Sequence, residues 1–395
     1  MLIINDPGKK AGRMLEETDP VDFQLEGLQT TAERERSLLA PYAMFSQQSL
    51  GREHAEADHP YRGPFQRDRD RILHSSAYRR LSGKMQVFTG EMGDYHRTRL
   101  THTQEVASIA RTIGRALKLN EDLIEALALF HDIGHPPYGH AGEDALDACL
   151  ASAGGFSHNQ YALTIAQELE CRHVQYPGLN LSREVLFSQA FRVDKETGSE
   201  SPLLEAQVVD AADSITYDAH DTDDAIKLGL VSLEEFQSLD LIGRCLERIG
   251  DAGQGLNPEN LRRAIVHELI DCQVGNVLAS AGRVLKESGW ELASDAQQDP
   301  YRIEPTGILA EEKSQLESFL LDRVYHHPKL IQTRDMAQKH LQRMFEYFSG
   351  RVEMLPPRFR NRIEQVGLER SIGDYLAGMT DRYLENCYRE QFPNG

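Results

Sequence analysis

The stretch from residue 122 to residue 143 constrains the fold more strongly than any other part of the sequence. Residues 122–130 are apolar on nearly every face of a helix, which predicts a helix buried at the centre of the domain. His131 and Asp132 extend its last turn, where burying two polar groups is costly unless they have partners. A proline pair at 136–137 then stops the helix and turns the next histidines into the same cleft. The chain must therefore enclose a hydrophobic helix and supply partners for the polar groups at its end.

The periodicity of the remaining sequence predicts an all-α fold. Apolar residues recur every three or four positions between residues 101 and 117, and this spacing turns His102 inward. A further amphipathic pattern predicts a helix from about Leu204 to Leu228, and residues 308–390 predict additional helices. The sequence contains no sustained alternation of apolar and polar residues that would require a sheet. We therefore expect a helical core with additional helical segments on its N- and C-terminal sides.

The composition and charge predict a cytoplasmic protein without a membrane partner. The 395 residues carry a formal net charge of −19, which opposes non-specific binding to nucleic acid or to an anionic membrane. No apolar run is long enough to span a bilayer, and the apolar patch at the N-terminus is too short for a signal peptide. The five cysteines are scattered without a Cys-x-x-Cys pair, which suits a reducing compartment.

Positive charge is concentrated in one short segment just before the histidine-rich region. This basic segment contains seven cationic side chains: Arg62, Arg67, Arg69, Arg71, Arg79, Arg80 and Lys84. One interpretation is a solvated helix face that Asp68 and Asp70 neutralise. The other is a surface that binds phosphate groups, such as those of a nucleotide.

Four side chains predicted to lie near the end of the buried helix suit a divalent cation. They are His102, His131, Asp132 and Asp213. Two imidazoles and two carboxylates form a mixed nitrogen and oxygen ligand set that leaves coordination positions for water and a substrate oxygen. Manganese, iron, magnesium, nickel and zinc all fit such a set. Each residue alone also suits a hydrogen-bonded core position, but all four together without a metal would leave buried polar atoms to be satisfied.

Residues suited to proton transfer or phosphate binding lie close to these ligands in the sequence. His140 and Glu143 are three residues apart where a helix is expected to begin, so the carboxylate can orient the imidazole as an acid/base pair. A hydrogen bond that only caps the helix is the alternative. Arg99 precedes His102 by three positions and can present its guanidinium to a phosphate, and His135 can donate a further hydrogen bond there.

Ordered motifs in this sequence resemble those of HD-domain deoxynucleoside triphosphate triphosphohydrolases. The matching stretches are residues 99–106, 131–143, 156–160 and 212–217. An upstream block, residues 70–88, resembles the bacterial dGTPase-like branch and is not shared by HD proteins in general. The motifs cover about residues 62–225. The resemblance therefore implies an HD phosphohydrolase core at 66–230 that includes the basic segment, with a polar arm at 1–65 and a helical region at 231–395.

The resemblance implies roles for individual residues. It assigns catalysis to His140, Glu143 and His158, although His158 also stands where it could cap a helix. It assigns contacts with the substrate phosphates to Arg99 and His135.

Three further positions match residues that contact the sugar in the family. They are Gln86, Tyr217 and Asp221. The ring of Tyr217 would pack under a deoxyribose and leave little room for a 2′-hydroxyl; the alternative is an ordinary core tyrosine.

The resemblance also implies a reaction and its partners. With a divalent metal ion, water would attack the α-phosphorus of a deoxynucleoside triphosphate and release deoxynucleoside and intact tripolyphosphate. Family members commonly form homo-oligomers, which we expect here, and some need an activating nucleotide at a second site, which the basic segment could provide. Ligand spacing alone equally allows another HD phosphohydrolase, such as a nucleotidase or a phosphodiesterase. A third reading is a non-catalytic regulator that binds nucleotides or single-stranded nucleic acid, which the basic segment favours.

Overall fold

The structure, a computed structural model, describes residues 27–86, 97–193 and 201–393. These residues form eighteen α-helices joined by short 3₁₀ and π-helical turns, with isolated β-bridges but no strand among them. The predicted all-α class is therefore confirmed. No helix in these ranges combines the length and the apolar run that crossing a membrane requires. The first 26 residues of the predicted arm and the last two of the 70–88 motif lie outside the described residues.

The helices fall into two groups along the chain. The first nine are α1 (Thr31–Leu38), α2 (Pro64–Leu73), α3 (Ser76–Arg80), α4 (Arg99–Ala116), α5 (Glu121–Phe130), α6 (Gly139–Cys149), α7 (His158–Thr164), α8 (Arg183–Val193) and α9 (Leu204–Lys227). The other nine are α10 (Leu233–Phe236), α11 (Asp240–Ile249), α12 (Pro258–Glu287), α13 (Ala293–Gln298), α14 (Ile308–Leu320), α15 (Pro328–Ser349), α16 (Pro357–Val366), α17 (Leu368–Ala377) and α18 (Asp381–Gln391). The long helices α9 and α12 pack along each other and connect the two groups.

Helix α5 lies in the main hydrophobic core, as its sequence predicts. Helices α2, α4 and α9 pack against it, and seven of its ten residues are buried. Asn120 caps its N-terminus by accepting a hydrogen bond from the N–H of Leu123. The helices predicted at 101–117 and 204–228 are α4 and α9. The elements that carry the predicted metal ligands therefore all meet at α5.

A second, smaller hydrophobic cluster forms around the end of α9. Ala219 and Ala225 of α9 pack there with Phe236, Leu241 and Leu316 from the second group of helices. The main core draws on residues of all three predicted segments, including helices α15, α17 and α18. The division at residues 65 and 230 stays a prediction.

The turn between α5 and α6 is tightly packed. Gly134 has no room for a side chain, because an added Cβ would lie 2.0 Å from the carbonyl oxygen of His158. Tyr138 and Gly139 have left-handed backbones, with φ of 65° and 59°, at the start of α6. Asp381 of α18 accepts a hydrogen bond of 3.0 Å from the N–H of Tyr138. The turn is therefore held by α7 on one side and by the C-terminal helices on the other.

We expect Gly134→Ala to destabilise the protein by about 1–3 kcal/mol, because the added methyl group forces the turn away from α7. The matched control is Gly282→Ala in α12, where an added Cβ meets nothing within 4 Å. This control should be neutral or stabilise the protein by up to about 1 kcal/mol, since alanine favours a helix more than glycine does. Urea unfolding of the two variants measures the difference, and equal stabilities would contradict the packing described above.

Candidate active site

Three of the four predicted metal ligands converge at the end of α5. His102 comes from α4, His131 from the turn after α5, and Asp213 from α9. Nε2 of His102 lies 3.0 Å from Oδ1 of Asp213, and Nε2 of His131 lies 3.6 Å from the same oxygen. One ligand atom from each of the three lies within 4.8 Å of the others. Atoms at these separations can share one cation.

The hydrogen bonding of His131 fits a metal ligand. Its Nδ1 lies 2.6 Å from the carbonyl oxygen of Ala128. A carbonyl only accepts, so Nδ1 carries the proton and Nε2 keeps its lone pair. Nε2 is buried and has no hydrogen-bond partner among the described residues. A buried lone pair without a partner is costly, and a bound divalent cation would satisfy it.

Asp132 joins this ligand group to the residues beyond the turn. Its Oδ1 lies 3.5 Å from Nε2 of His131 and 2.9 Å from Nδ1 of His135. Its Oδ2 accepts a hydrogen bond of 2.9 Å from Arg99. Burial disfavours the charged carboxylate, but His135 and Arg99 outweigh that effect and hold the pKa of Asp132 well below its usual range. Asp132 is therefore an ionised contact between the two parts of the site.

Two residues that the sequence analysis missed lie behind His102. Nδ1 of His102 is 3.3 Å from Nδ1 of His220, and Nε2 of His220 is 2.6 Å from Oε2 of Glu105. Burial lowers the pKa of His220 to about 4, so its ring is neutral at pH 7. Helical spacing offered a signal for both: His220 follows Asp213 by seven residues, and Glu105 follows His102 by three.

The second group of side chains is organised by Glu143. One of its oxygens lies 3.2 Å from Nδ1 of His140, and the other lies 2.7 Å from Nδ1 of His158. The backbone N–H of His158 also donates to it, at 2.8 Å. Burial opposes ionisation, but the hydrogen bonds from the two histidines keep the pKa of Glu143 below its usual range. The ring of His135 stacks on that of His158, with centroids 3.8 Å apart.

Two of the predicted sugar contacts lie together on α9. The hydroxyl of Tyr325 donates a hydrogen bond to Asp221, and the rings of Tyr217 and Tyr325 are parallel within 10° at 6.1 Å. Burial and the nearby Asp224 and Asp218 raise the pKa of Asp221 well above its usual range. Tyr325 follows Asp221 by 104 residues, so no local pattern could have predicted this contact.

Arg99 and Gln86 contact each other beside Gly139, at the start of α6. Arg99 is buried, and its Nη2 donates a hydrogen bond of 3.2 Å to the carbonyl oxygen of Gln86. Nε of Arg99 and Oε1 of Gln86 are buried and have no partner among the described residues. The structure thus places Arg99 beside Asp132, and the predicted contacts of Arg99 with phosphate and of Gln86 with sugar stay predictions.

The fold uses most of the basic segment internally. Four of its arginines pair with carboxylates: Arg62 and Arg69 with Asp70, and Arg67 and Arg71 with Glu56. Lys84 donates to the carbonyl oxygens of His135 and Ala377 at 2.5 and 2.9 Å, and burial lowers its pKa to about 7. Phosphate binding by this segment stays a prediction, with Arg79 and Arg80 as its candidates.

Two family models match parts of this chain, and proteins named in the same way are similar to most of it. A family model described as HD domain matches residues 99–218, and one described as phosphohydrolase-associated domain matches residues 305–390. A protein of Thiobacillus denitrificans is 40% identical over 362 residues, which cover 89% of this chain and 96% of the relative. A relative from Geobacter sulfurreducens is 38% identical, with 91% of this chain and 96% of the relative covered. A relative from Leptospira interrogans is 37% identical, with 90% of this chain and 97% of the relative covered. All three are named deoxyguanosinetriphosphate triphosphohydrolase-like protein.

We expect Mn²⁺ to raise the unfolding temperature of the protein, because an ion that binds only the folded state stabilises it by about 2.7 kcal/mol at 100 times its Kd. His131→Ala should lose most of this increase, because it removes a ligand nitrogen. His140→Ala is the matched control: it removes a histidine of the second group and should keep the increase. Thermal unfolding with and without Mn²⁺ measures the effect for each variant. If Mn²⁺ raised the unfolding temperature of His131→Ala fully, or if only His140→Ala lost the increase, the ion would bind elsewhere.

Proposed function

This chain belongs to the HD-domain phosphohydrolases, in the branch of deoxyguanosinetriphosphate triphosphohydrolase-like proteins, and we propose that it hydrolyses deoxynucleoside triphosphates to deoxynucleoside and intact tripolyphosphate. One observation carries the proposal. Oδ1 of Asp132 lies within 3.5 Å of His131 and 2.9 Å of His135, so the group that fits a metal ion adjoins the histidines around Glu143. Hydrolysis of a phosphate ester needs both an activated water and a proton donor for the leaving oxygen.

The metal group supports the first requirement. His102, His131, Asp132 and Asp213 would hold a divalent cation, which lowers the pKa of a bound water and neutralises a phosphate oxygen. Two ring nitrogens that adjoin the turn, Nε2 of His131 and Nε2 of His135, are buried and unpaired in the described part of the chain. Nδ1 of His135 faces Oδ1 of Asp132 at 2.9 Å, so Nε2 of the same ring can donate to a phosphate oxygen beside the ion only when the ring is protonated.

The Glu143 group supports the second requirement. Glu143 receives Nδ1–H of both His140 and His158, which leaves the Nε2 atoms of these rings without that proton. A carboxylate in this position also stabilises an imidazolium. Either ring can therefore take a proton from the attacking water and return one to the leaving 5′-oxygen. The side chain of His140 is 63% exposed, so it is the one that a substrate in the cleft reaches.

The pair of tyrosine rings beside Asp221 supports selection of the sugar. Tyr217 and Tyr325 flank Asp221, whose Oδ1 is buried without a partner among the described residues. A carboxyl oxygen there can accept a hydrogen bond from a sugar hydroxyl, while the ring of Tyr217 limits the room at C2′. Gln86 would add a polar contact to the same sugar.

Two other readings stay open to the same experiment. A nucleotidase or phosphodiesterase of the HD family would use the same groups but would not release tripolyphosphate. A regulator that binds nucleotides or single-stranded nucleic acid would turn over no substrate. The activating nucleotide and the homo-oligomer stay predictions of the resemblance.

We expect the purified protein with Mn²⁺, Mg²⁺ or Co²⁺ to convert at least one deoxynucleoside triphosphate to deoxynucleoside and tripolyphosphate in equal amounts. Ion chromatography separates tripolyphosphate from pyrophosphate and phosphate. Pyrophosphate or phosphate as the first product would replace the proposal with another HD phosphohydrolase activity.

Glu143→Gln supplies the matched control for this assay. It keeps the size of the side chain but removes the charge that orients His140 and His158, so kcat should fall by about 10²–10⁴-fold. The Mn²⁺-dependent rise in unfolding temperature should persist. Unchanged kcat would exclude the acid/base role of this group.

We expect Tyr217→Ala to lower the preference for deoxynucleotides over ribonucleotides by about 10-fold or more, because removal of the ring makes room for a 2′-hydroxyl. Tyr325→Phe is the control, since it keeps the stacked ring and removes only the hydrogen bond to Asp221. The ratio of kcat/KM for dGTP and GTP measures the preference. An unaltered ratio in Tyr217→Ala would assign sugar selection to other residues.

A further inference from the structure

We propose that His220 and Glu105 are positioning residues that fix His102 in the tautomer able to bind a metal ion. The sequence motifs assign no role to either residue. The inference rests on the metal site of the proposed function and states how the protein prepares that site before the ion arrives.

The three side chains form one row that leads from the surface to the ligand group. The carboxylate of Glu105 is 48% exposed, and its Oε2 is 2.6 Å from Nε2 of His220. The His220 ring is buried, and its Nδ1 is 3.3 Å from Nδ1 of His102. Nε2 of His102 then faces Oδ1 of Asp213 at 3.0 Å. The row therefore ends at the nitrogen that is free to bind the ion.

Chemistry determines which nitrogen in this row carries each proton. The carboxylate of Glu105 only accepts, so Nε2 of His220 must carry a proton. A neutral imidazole has one N–H, so Nδ1 of His220 is an acceptor. The proton between the two rings therefore belongs to Nδ1 of His102. Nε2 of His102 is left with a lone pair that points at the ligand group.

The competing tautomer would remove His102 from the ligand group. If Nε2 of His102 carried the proton, it would donate to Asp213 across the 3.0 Å that separates them. Nε2 would then have no lone pair for a metal ion. His220 opposes this tautomer because its Nδ1 is an acceptor. Only the tautomer of His102 with its proton on Nδ1 can donate to that atom.

A side chain has to fix the tautomer of His102, whereas a backbone carbonyl fixes the tautomer of His131. Nδ1 of His131 donates to the carbonyl of Ala128 one turn earlier, at the open end of α5. His102 lies within α4, where the backbone carbonyls accept hydrogen bonds from the helix itself. The acceptor for His102 therefore comes from α9, and Glu105 sets the orientation of that acceptor.

The test measures Co²⁺ affinity, by competition with a chromogenic chelator, in the unaltered protein and in four variants. We expect His220→Ala to weaken Co²⁺ binding by about 10–100-fold, the usual effect of removing a hydrogen-bond partner of a metal-bound histidine. His220→Asn should recover part of the loss, because its amide oxygen can accept from Nδ1–H of His102. Glu105→Ala should give a smaller loss in the same direction. His54→Ala removes an imidazole that stacks on Tyr176, with centroids 4.0 Å apart, and should bind Co²⁺ as the unaltered protein does.

The variants separate a positioning role from a purely structural one. The visible absorption of bound Co²⁺ reports its ligands, so a lost or distorted His102 ligand should change the spectrum of His220→Ala and not that of His54→Ala. Unaltered Co²⁺ affinity in His220→Ala, or equal affinities in His220→Ala and His220→Asn, would overturn the inference. Absence of Co²⁺ binding in the unaltered protein would overturn it together with the metal site. If the Co²⁺ affinities followed the expected pattern but the protein turned over no deoxynucleotide, only the proposed function would be overturned.

Discussion

The carboxylate of Asp132 is the contact on which both halves of the site depend. Helix α5 carries it into the interior, where burial opposes its charge. Arg99 and His135 each lie 2.9 Å from one of its oxygens, and His131 lies 3.5 Å from the oxygen that faces His135. The groups that compensate the buried charge are therefore the same groups that a metal ion and a phosphate would contact. Removal of any one of them would weaken the core and the site together.

The C-terminal helices complete this arrangement by fixing the backbone around it. Asp381 accepts hydrogen bonds from the N–H groups of Met85 and Tyr138, at 2.9 and 3.0 Å, on either side of the buried Arg99. Lys84 joins the carbonyl of His135 to that of Ala377. Through Tyr138 and His135, these contacts join the region of the HD match at 99–218 to that of the phosphohydrolase-associated match at 305–390. The second region supplies hydrogen bonds that the turn after α5 cannot make alone.

The parts of this site that the sequence predicts are those encoded by local spacing. The apolar run before His131 predicts the buried α5, and helical periodicity turns His102 and Asp213 toward it. Burial of α5 and the meeting of the three helices follow from such patterns. Tyr325 and Asp381 carry no comparable signal, because their contacts join residues 104 and 243 positions or more apart in sequence. Within the basic segment, Asp70 pairs with Arg62 and Arg69 as its position in the sequence suggests, whereas Arg67 and Arg71 pair with Glu56, which lies outside any motif.

Several buried polar atoms at the site have no hydrogen-bond partner among the described residues. Buried side-chain atoms in folded proteins are almost always hydrogen-bonded, so unpaired ones that occur together call for a ligand. Among the described residues, Nε2 of His131, Nε2 of His135 and Oδ1 of Asp221 are buried and unpaired. The first adjoins the metal group, the second adjoins the Glu143 group, and the third lies between the tyrosine rings of α9 and the π-helical turn. Under the proposed function a cation would satisfy the first atom, a phosphate the second and a sugar hydroxyl the third.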